Sequence, residues 1–255
     1  MEKTDYRKRF FKRYITNQVE YVEKISPKSF DIVARGFRKH ISRFLPDGKS
    51  ASILDIACGA GHLLHFLQNQ GYYKAQGIDL GAEQLKIARK MGVKNIEQAD
   101  LFEYLEKYKD YFDLIIAFQL IEHLKKDEAV KSLDLIYRAL KPGGKVLVTT
   151  PNAVSLGGLW ISFGDFTHEL VFTPRSLSQL LRVCRFSNVE VYGQGPVTYD
   201  FRSGIRTILW KFLKTILRFC FMIERGTGRS IWEAKPIFEG SILGVGWKLE
   251  KNEHI

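Results

Sequence analysis

Cysteine is scarce in this chain: Cys58, Cys184 and Cys220 are the only three among 255 residues. An odd number at wide spacing excludes a disulfide framework and a zinc cluster built on cysteine. Long apolar runs are also missing, and none is long enough to span a bilayer. The N-terminus is charged from Glu2 to Arg13, which is not the pattern of a secretory leader. There is no internal repeat and no low-complexity tract. Acidic residues are outnumbered, 28 against 39 basic ones, for a net charge of +11. That balance suits an anionic partner such as nucleic acid, a phosphorylated substrate or a membrane face, or simple solubility, and charge alone does not separate these. The expected compartment is a reducing cytoplasm, extended to peripheral contact at the inner membrane surface.

What is present begins with 45% hydrophobic content, ample for one sizeable core plus additions. The chain is organised around Ile53-Leu54-Asp55-Ile56-Ala57-Cys58-Gly59-Ala60-Gly61-His62. An apolar run delivers the chain through a Gly-x-Gly turn into a helical stretch, His62 to Gln70. The glycines allow close backbone approach to a ligand, and the helix start presents unbonded N–H groups. A dinucleotide fingerprint needs a third glycine at position 64, where Leu64 stands, so a nicotinamide-dependent dehydrogenase is disfavoured. Cys58 inside the loop reads as a packing residue rather than a nucleophile.

Further segments follow in order. Gly77-Ile78-Asp79 ends a second apolar run 18 residues beyond Gly61 and places a carboxylate where a ribose diol could bind. Ala99-Asp100-Leu101 ends a third. Tyr111 to Ala117 is a fourth, leading into Gln119 and Ile121-Glu122-His123, and Lys141-Pro142-Gly143-Gly144 turns into Lys145 to Thr150. The spacing predicts strands near 52–57, 74–79, 95–99, 112–117 and 144–150, with helices near 61–70, 83–91, 101–108 and 126–140. Alternation at these lengths means right-handed crossovers and a parallel sheet covered on both faces, with ligands beyond the C-terminal strand ends. Residues 6 to 45 carry helical spacing, repeated in Ile32, Val33, Phe37, Ile41 and Phe44. Thr173 and Pro174 start a helix to Val183. Pro151 to Phe172 has little periodicity. Strands are expected over Val189–Val197 and Ser241–Leu249, with an insertion between them at residues 198–240.

This series, over about residues 50 to 195, resembles the class I S-adenosylmethionine-dependent methyltransferases. The nearest subgroup holds the ubiquinone-biosynthesis O-methyltransferases and many small-molecule and glycan methyltransferases. The resemblance implies an α/β, doubly wound, seven-stranded Rossmann-like sheet, mostly parallel with an antiparallel last strand. One domain over 1–255 is expected: a helical cap at 1–48, the core at 49–197 and 241–250, and a helical insertion at 198–240. Ala57 departs from the pattern, because many members carry glycine there.

The resemblance further implies S-adenosyl-L-methionine as cofactor. Gly59 and Gly61, after Ala57, would back its methionine end, with Asp55 near the amino group. Asp79, followed by Leu80, would hold the ribose hydroxyls, and Asp100, followed by Leu101, the adenine amino group, with Gln119 also at the cofactor. His123 and His168 match positions where the quinone O-methyltransferases carry histidine, and are the candidate catalytic residues. Those enzymes and the small-RNA 2′-O-methyltransferases share a Glu-x-x-Glu-His stretch that holds a divalent metal with a later histidine. Here Gln119 replaces the first glutamate, which weakens a Mg²⁺ site, and a metal-free or weakly metal-assisted enzyme is expected, with no metal ligand assigned. Phe118-Gln119-Leu120-Ile121 lacks the Asn/Asp-Pro-Pro-aromatic stretch of methyltransferases acting on exocyclic amines.

The expected acceptor is a small or lipid-linked molecule methylated on oxygen. An RNA methyltransferase is the alternative, for which the net charge is the main support, and a catalytically silent membrane adaptor is a second. From Phe201 to Ile223 there are five basic residues and no acidic one, among many apolar ones. Wound as a helix, Lys211, Lys214 and Arg218 fall on one side, and residues 202–222 read as an interfacial membrane helix or as a lid packed on the domain.

Overall fold

The computed structural model describes residues 25–225 and 236–250. Residues 6–24 of the expected helical cap, and residues 226–235 of the insertion, lie outside the described residues. Seven strands form one sheet: β1 (Ile53–Ile56), β2 (Gln76–Asp79), β3 (Ile96–Gln98), β4 (Phe112–Phe118), β5 (Leu140–Pro151), β6 (Ser187–Gly193) and β7 (Ser241–Trp247). Their order is β3-β2-β1-β4-β5-β7-β6, and β7 runs antiparallel to both its neighbours. The doubly wound, mostly parallel sheet expected from the alternation is therefore present, antiparallel strand included.

The helices are α1 (Pro27–His40), α2 (His62–Asn69), α3 (Ala82–Lys90), α4 (Leu101–Leu105), α5 (Lys126–Ala139), α6 (Gly158–Gly164), α7 (Pro174–Val183) and α8 (Phe201–Arg225). Strand residues alternate between two cores. Leu54, Ile56, Ile115, Val146 and Val148 face α4, α5 and α7. Ile53, Leu114, Ile116 and Leu147 face α1, α2 and α3. Covering both faces makes the central strands near-continuous apolar runs, and each fully buried Ile or Leu contributes roughly 1.5–3 kcal/mol. Gly77 of β2 has to be glycine: a Cβ there would come within 2.5 Å of Leu64 and 2.9 Å of Cys58. That close approach seats α2 and the glycine loop against the sheet.

Local signals start the helices where the sequence indicates. Ser26 and Ser29 form a reciprocal capping box on α1, as Thr173 and Ser176 do on α7, each followed by proline at the first helical position. Asp200 and Ser203 exchange bonds at the start of α8, with Asp200 Oδ1 accepting Ser203 N–H at 2.8 Å. The strand pattern extends earlier than expected at β5, because Leu140 already pairs with Phe112 and the Gly143 and Lys248 backbones bond each other. β6 stops at Gly193 rather than 197. Its ladder ends with Gln194 N–H on Ser241, and Pro196 has no N–H to continue it.

The irregular connection Pro151–Phe172 contains α6, which the sequence pattern does not reveal. Its Leu159, Trp160 and Phe163 point outward while Ser162 is buried, so the usual polar-out pattern is reversed. α8 is turned the same way. Thr207, Trp210, Lys211 and Lys214, spaced for one helix face, look toward the protein body. Ile208, Leu209, Phe212 and Phe219 lie on the opposite side and are exposed. Both helices meet the same segment, Ile161 beside Gly240 and Lys214 on Glu239.

Candidate active site

The C-terminal ends of β1 and β2 converge on one turn. Asp79 Oδ2 accepts the Gly59 N–H at 2.8 Å, and Oδ1 accepts the Gly81 N–H at 2.7 Å. Cys58 N–H donates to the Ile78 carbonyl at 3.0 Å, so the glycine loop hangs on the end of β2. Ala57, Gly59 and Gly61 all take positive φ, at 57°, 54° and 80°. Gly61 opens α2 without any side-chain cap, so the first-turn N–H groups have no capping side chain. Phe30 of α1 stacks on His62 at that helix start, ring centroids 4.0 Å apart.

Asp55 lies beneath this turn, 2% exposed, opposite Gly77 and Ile116. Burial and the nearby Asp79 push its carboxyl well above the usual range. Burial also raises Asp79, opposed by the two N–H donors of Gly81 and Gly59. Burial pushes the Cys58 thiol far up as well, which fits a packing residue. Leu80 is exposed at the mouth, and open space surrounds Gly59. Asp100 spends Oδ1 capping α4, accepting from Phe102 at 2.8 Å and Glu103 at 3.3 Å, while Leu101 is buried. An uncapped helix start, an open glycine position and an exposed apolar residue beside the buried Asp55 and the half-buried Asp79 fit an extended polar ligand such as S-adenosylmethionine. Gln119 is turned another way: its amide donates to Thr149 Oγ1 at 3.2 Å and Ser241 Oγ at 3.4 Å, toward β5 and β7.

The two candidate histidines meet, with ring centroids 4.7 Å apart in an edge-on arrangement. His123 sits in the short 3₁₀ turn Ile121–His123 just past β4, and His168 follows α6. His168 Nδ1 lies 2.8 Å from the Ser162 carbonyl. A carbonyl only accepts, so Nδ1 carries the proton and Nε2 is the basic nitrogen. His123 Nδ1 lies 2.9 Å from Thr167 Oγ1, whose hydroxyl donates to Asp165 Oδ1 at 2.7 Å. With that hydroxyl hydrogen committed, Thr167 accepts from His123 Nδ1–H, and Nε2 is again the basic nitrogen. Burial, then the neighbouring His168, lowers His123 to about 4.

Glu122 completes the group. One of its carboxylate oxygens lies within 4.8 Å of a ring nitrogen on each histidine. It is 1% exposed, burial raises its carboxyl to about 8, and neither oxygen has a hydrogen-bond partner. The Thr150 hydroxyl beside it opposes the rise but stands off hydrogen-bond geometry and is itself unpartnered. A carboxyl and two imidazoles converging at an orphaned acid fit a divalent metal, and a nitrogen-preferring one better than Mg²⁺. So the three donors that survive the glutamate-to-Gln119 change do come together.

Sequence reasoning assigned no role to Asp165 or Thr167. Their signal is local: Thr167 N–H also donates to Asp165 Oδ1 at 2.9 Å, the turn habit of an Asp-x-Thr stretch.

A methyltransferase-domain family model matches residues 31–191. The chain belongs to this methyltransferase domain family. Among curated relatives of this methyltransferase is a ubiquinone biosynthesis O-methyltransferase of Idiomarina loihiensis, 24% identical over 157 residues, 55% of this chain and 63% of the relative. One from Xylella fastidiosa is 33% identical over 118 residues, 44% of this chain and 46% of the relative. The chain thus spans about half to just under two thirds of the length of these relatives. Among solved structures, a SAM dependent methyltransferase from Archaeoglobus fulgidus aligns with TM-score 0.63 at 21% identity, covering 86% of this chain and 94% of that one. That likeness concerns the fold.

Proposed function

We propose that this protein transfers the methyl group of S-adenosylmethionine to a hydroxyl oxygen of a small or lipid-linked acceptor. The observation that carries the reading is the Asp165–Thr167–His123 hydrogen-bond chain ending beside His168, past β4 and one strand from the Gly59–Asp79 turn. The acceptor hydroxyl gives its proton to a histidine Nε2 as its oxygen attacks the methyl carbon. The carbon–sulfur bond breaks, and its electron pair returns to sulfur as neutral S-adenosylhomocysteine. Alignment of donor and acceptor supplies much of the rate, and the base adds on the order of 10²–10⁴. Asp55, Ala57, Gly59, Gly61, Asp79, Leu80, Asp100 and Leu101 are the cofactor set in this reading. Gln119 belongs to it only through its backbone position at the end of β4, since its side chain bonds Thr149 and Ser241.

The histidines act here without a required metal. Glu122, His123 and His168 would hold one if it is present, and such an ion would lower the acceptor hydroxyl's pKa. The curated relatives' name, ubiquinone biosynthesis O-methyltransferase, supports oxygen as the accepting atom.

The outward apolar faces of α6 and α8 support a peripheral membrane contact that would bring a lipid-linked acceptor to His168. Trp160, Phe163 and Phe212 are 83%, 72% and 68% exposed, a density of exposed aromatics that marks an interaction surface. No helix among the described residues is long and apolar enough to cross a membrane. The test is incubation with methyl-labelled S-adenosylmethionine and a panel of phenolic, quinol and glycan acceptors. O-linked label that disappears in His123→Ala supports the reading, and label appearing only on nitrogen contradicts it.

A further inference from the structure

The inward face of α8 closes a cavity of about 300 Å³ against α1 and the exit of β6, within the roughly 300–1,000 Å³ range of ligand sites. Lys39, Arg43, Lys211 and Lys214 line it, facing a single carboxylate, Glu239. Glu239 is already matched: Lys214 Nζ lies 2.7 Å from its Oε1. Lys39 donates to the Pro196 carbonyl, and His40 Nε2 donates to the Gly195 carbonyl at 3.0 Å, which fixes the α1 wall. Among the described residues, neither the Arg43 nor the Lys211 side chain has a hydrogen bond or ion pair that would occupy its charge. The Arg43 guanidinium is held 4.1 Å from the Tyr192 ring centroid and 4.6 Å from that of Phe44, so it is oriented without being consumed. Trp210 also lines the cavity, and its buried indole N–H has no acceptor among the described residues.

We propose that this cavity is the subsite for a phosphate or diphosphate group carried by the methyl acceptor, an assignment that rests on the methyl transfer proposed above. A fixed guanidinium, a nearby ammonium and an unpaired indole N–H together supply what several phosphate oxygens need. The cavity sits at the same sheet edge as the histidines, by β6 and β7, whereas His123 follows β4. Between β4 and β6 lie three strand spacings in the order β4-β5-β7-β6, or roughly 14 Å. The acceptor therefore carries its anionic group at least about that far, measured across the strands, from the hydroxyl that is methylated. The same geometry explains why α8 turns its basic stripe inward.

The full chain is titrated calorimetrically with inorganic pyrophosphate at constant ionic strength, with sodium chloride as the control. Saturable one-to-one binding is expected, at least tenfold weaker in Arg43→Gln and in Lys211→Gln, and weakened in Trp210→Phe, which keeps the ring and removes the N–H. An alkyl phosphate below its micelle concentration is expected to compete with pyrophosphate and to lose affinity in the same variants. Absence of pyrophosphate binding, or its full retention in the Arg43→Gln/Lys211→Gln double variant, overturns the subsite. Pyrophosphate binding with which the alkyl phosphate cannot compete assigns the cavity to a free anion and overturns the link to the acceptor. S-adenosylhomocysteine affinity, read in the same samples, is expected to persist in every variant. Its loss in the wild type would instead count against the methyl-transfer reading while leaving the cavity result intact.

Discussion

Thr167 Oγ1 stands 2.9 Å from His123 Nδ1 and donates its own hydrogen bond to Asp165 Oδ1. That contact decides which imidazole nitrogen is basic, so its loss should act on turnover rather than on cofactor binding. Thr167→Val keeps the shape and removes the bond. Its kcat should fall, though less than in His123→Ala, where the loss is expected to be on the order of 10²–10⁴. S-adenosylhomocysteine affinity should hold in both. Chelator treatment should cost little. Strong restoration of chelated enzyme by Zn²⁺ or Mg²⁺ would show that Glu122, His123 and His168 work as a metal site.

Glu122 gives stability a pH dependence of known sign. Its carboxyl titrates near 8 in the folded protein against 4.5 ordinarily. Between those values the folded chain binds the extra proton, so the contribution is complete below pH 4.5 and is lost as pH rises toward 8. His123 acts in the opposite sense in a lower window. Its folded value is about 4 against 6.5, so stability rises with pH across that interval. Glu122→Gln keeps the shape and removes the first effect. Its melting temperature should exceed that of the wild type at pH 8, with the gap closing toward pH 5. A gap that ignores pH would contradict the burial account.

Much of this was legible in the residues. Strands whose two faces are both covered must be apolar throughout, so Ile53–Ile56 and Phe112–Phe118 announce themselves, and caps such as Thr173-Pro174 carry their own chemistry. The placement of Gly59, Asp79 and Asp100 at one sheet edge follows from the same alternation, whereas His123 and His168 were singled out by the family resemblance. The orientation of α6 and α8 was not legible, because helical periodicity identifies an apolar face without saying which way it turns. Lys211, Lys214 and Arg218 were expected to share one side of an interfacial helix or lid, and which way that side turns is set by the Lys214–Glu239 bond, which depends on a segment only the fold brings near. Gln119 was likewise read at the cofactor, and its bonds to Thr149 and Ser241 depend on strands that only the fold makes neighbours.

The membrane reading makes a prediction specific to this orientation. The intact protein should float with anionic vesicles at low salt. Leu209→Asp with Phe212→Asp, or Trp160→Asp with Phe163→Asp, should reduce flotation sharply, because these residues are the exposed apolar ones. Lys214→Gln should change it far less. If the wild type ignores vesicles, the apolar faces serve another partner.

Ala57 holds a positive φ of 57° without being glycine. A left-handed conformation costs a non-glycine residue roughly 1–2 kcal/mol, and glycine gives back about 0.5–1 kcal/mol in entropy. Ala57→Gly should therefore raise the melting temperature by about 1–4 °C, with S-adenosylhomocysteine affinity kept. A lower melting temperature would show that the alanine methyl packs usefully.

The most direct test of the whole account is calorimetric titration of the wild type and Asp79→Ala with S-adenosylhomocysteine and with NAD. Asp79 is the carboxylate that anchors the glycine loop through Gly59, and in the proposed reading it receives the ribose hydroxyls. A charged hydrogen bond is worth about 1.5–3 kcal/mol. The wild type should bind S-adenosylhomocysteine and not NAD, and Asp79→Ala, with its circular dichroism unchanged, should bind S-adenosylhomocysteine at least tenfold more weakly. Unchanged affinity in a folded Asp79→Ala protein, or NAD bound more tightly than S-adenosylhomocysteine, would contradict it.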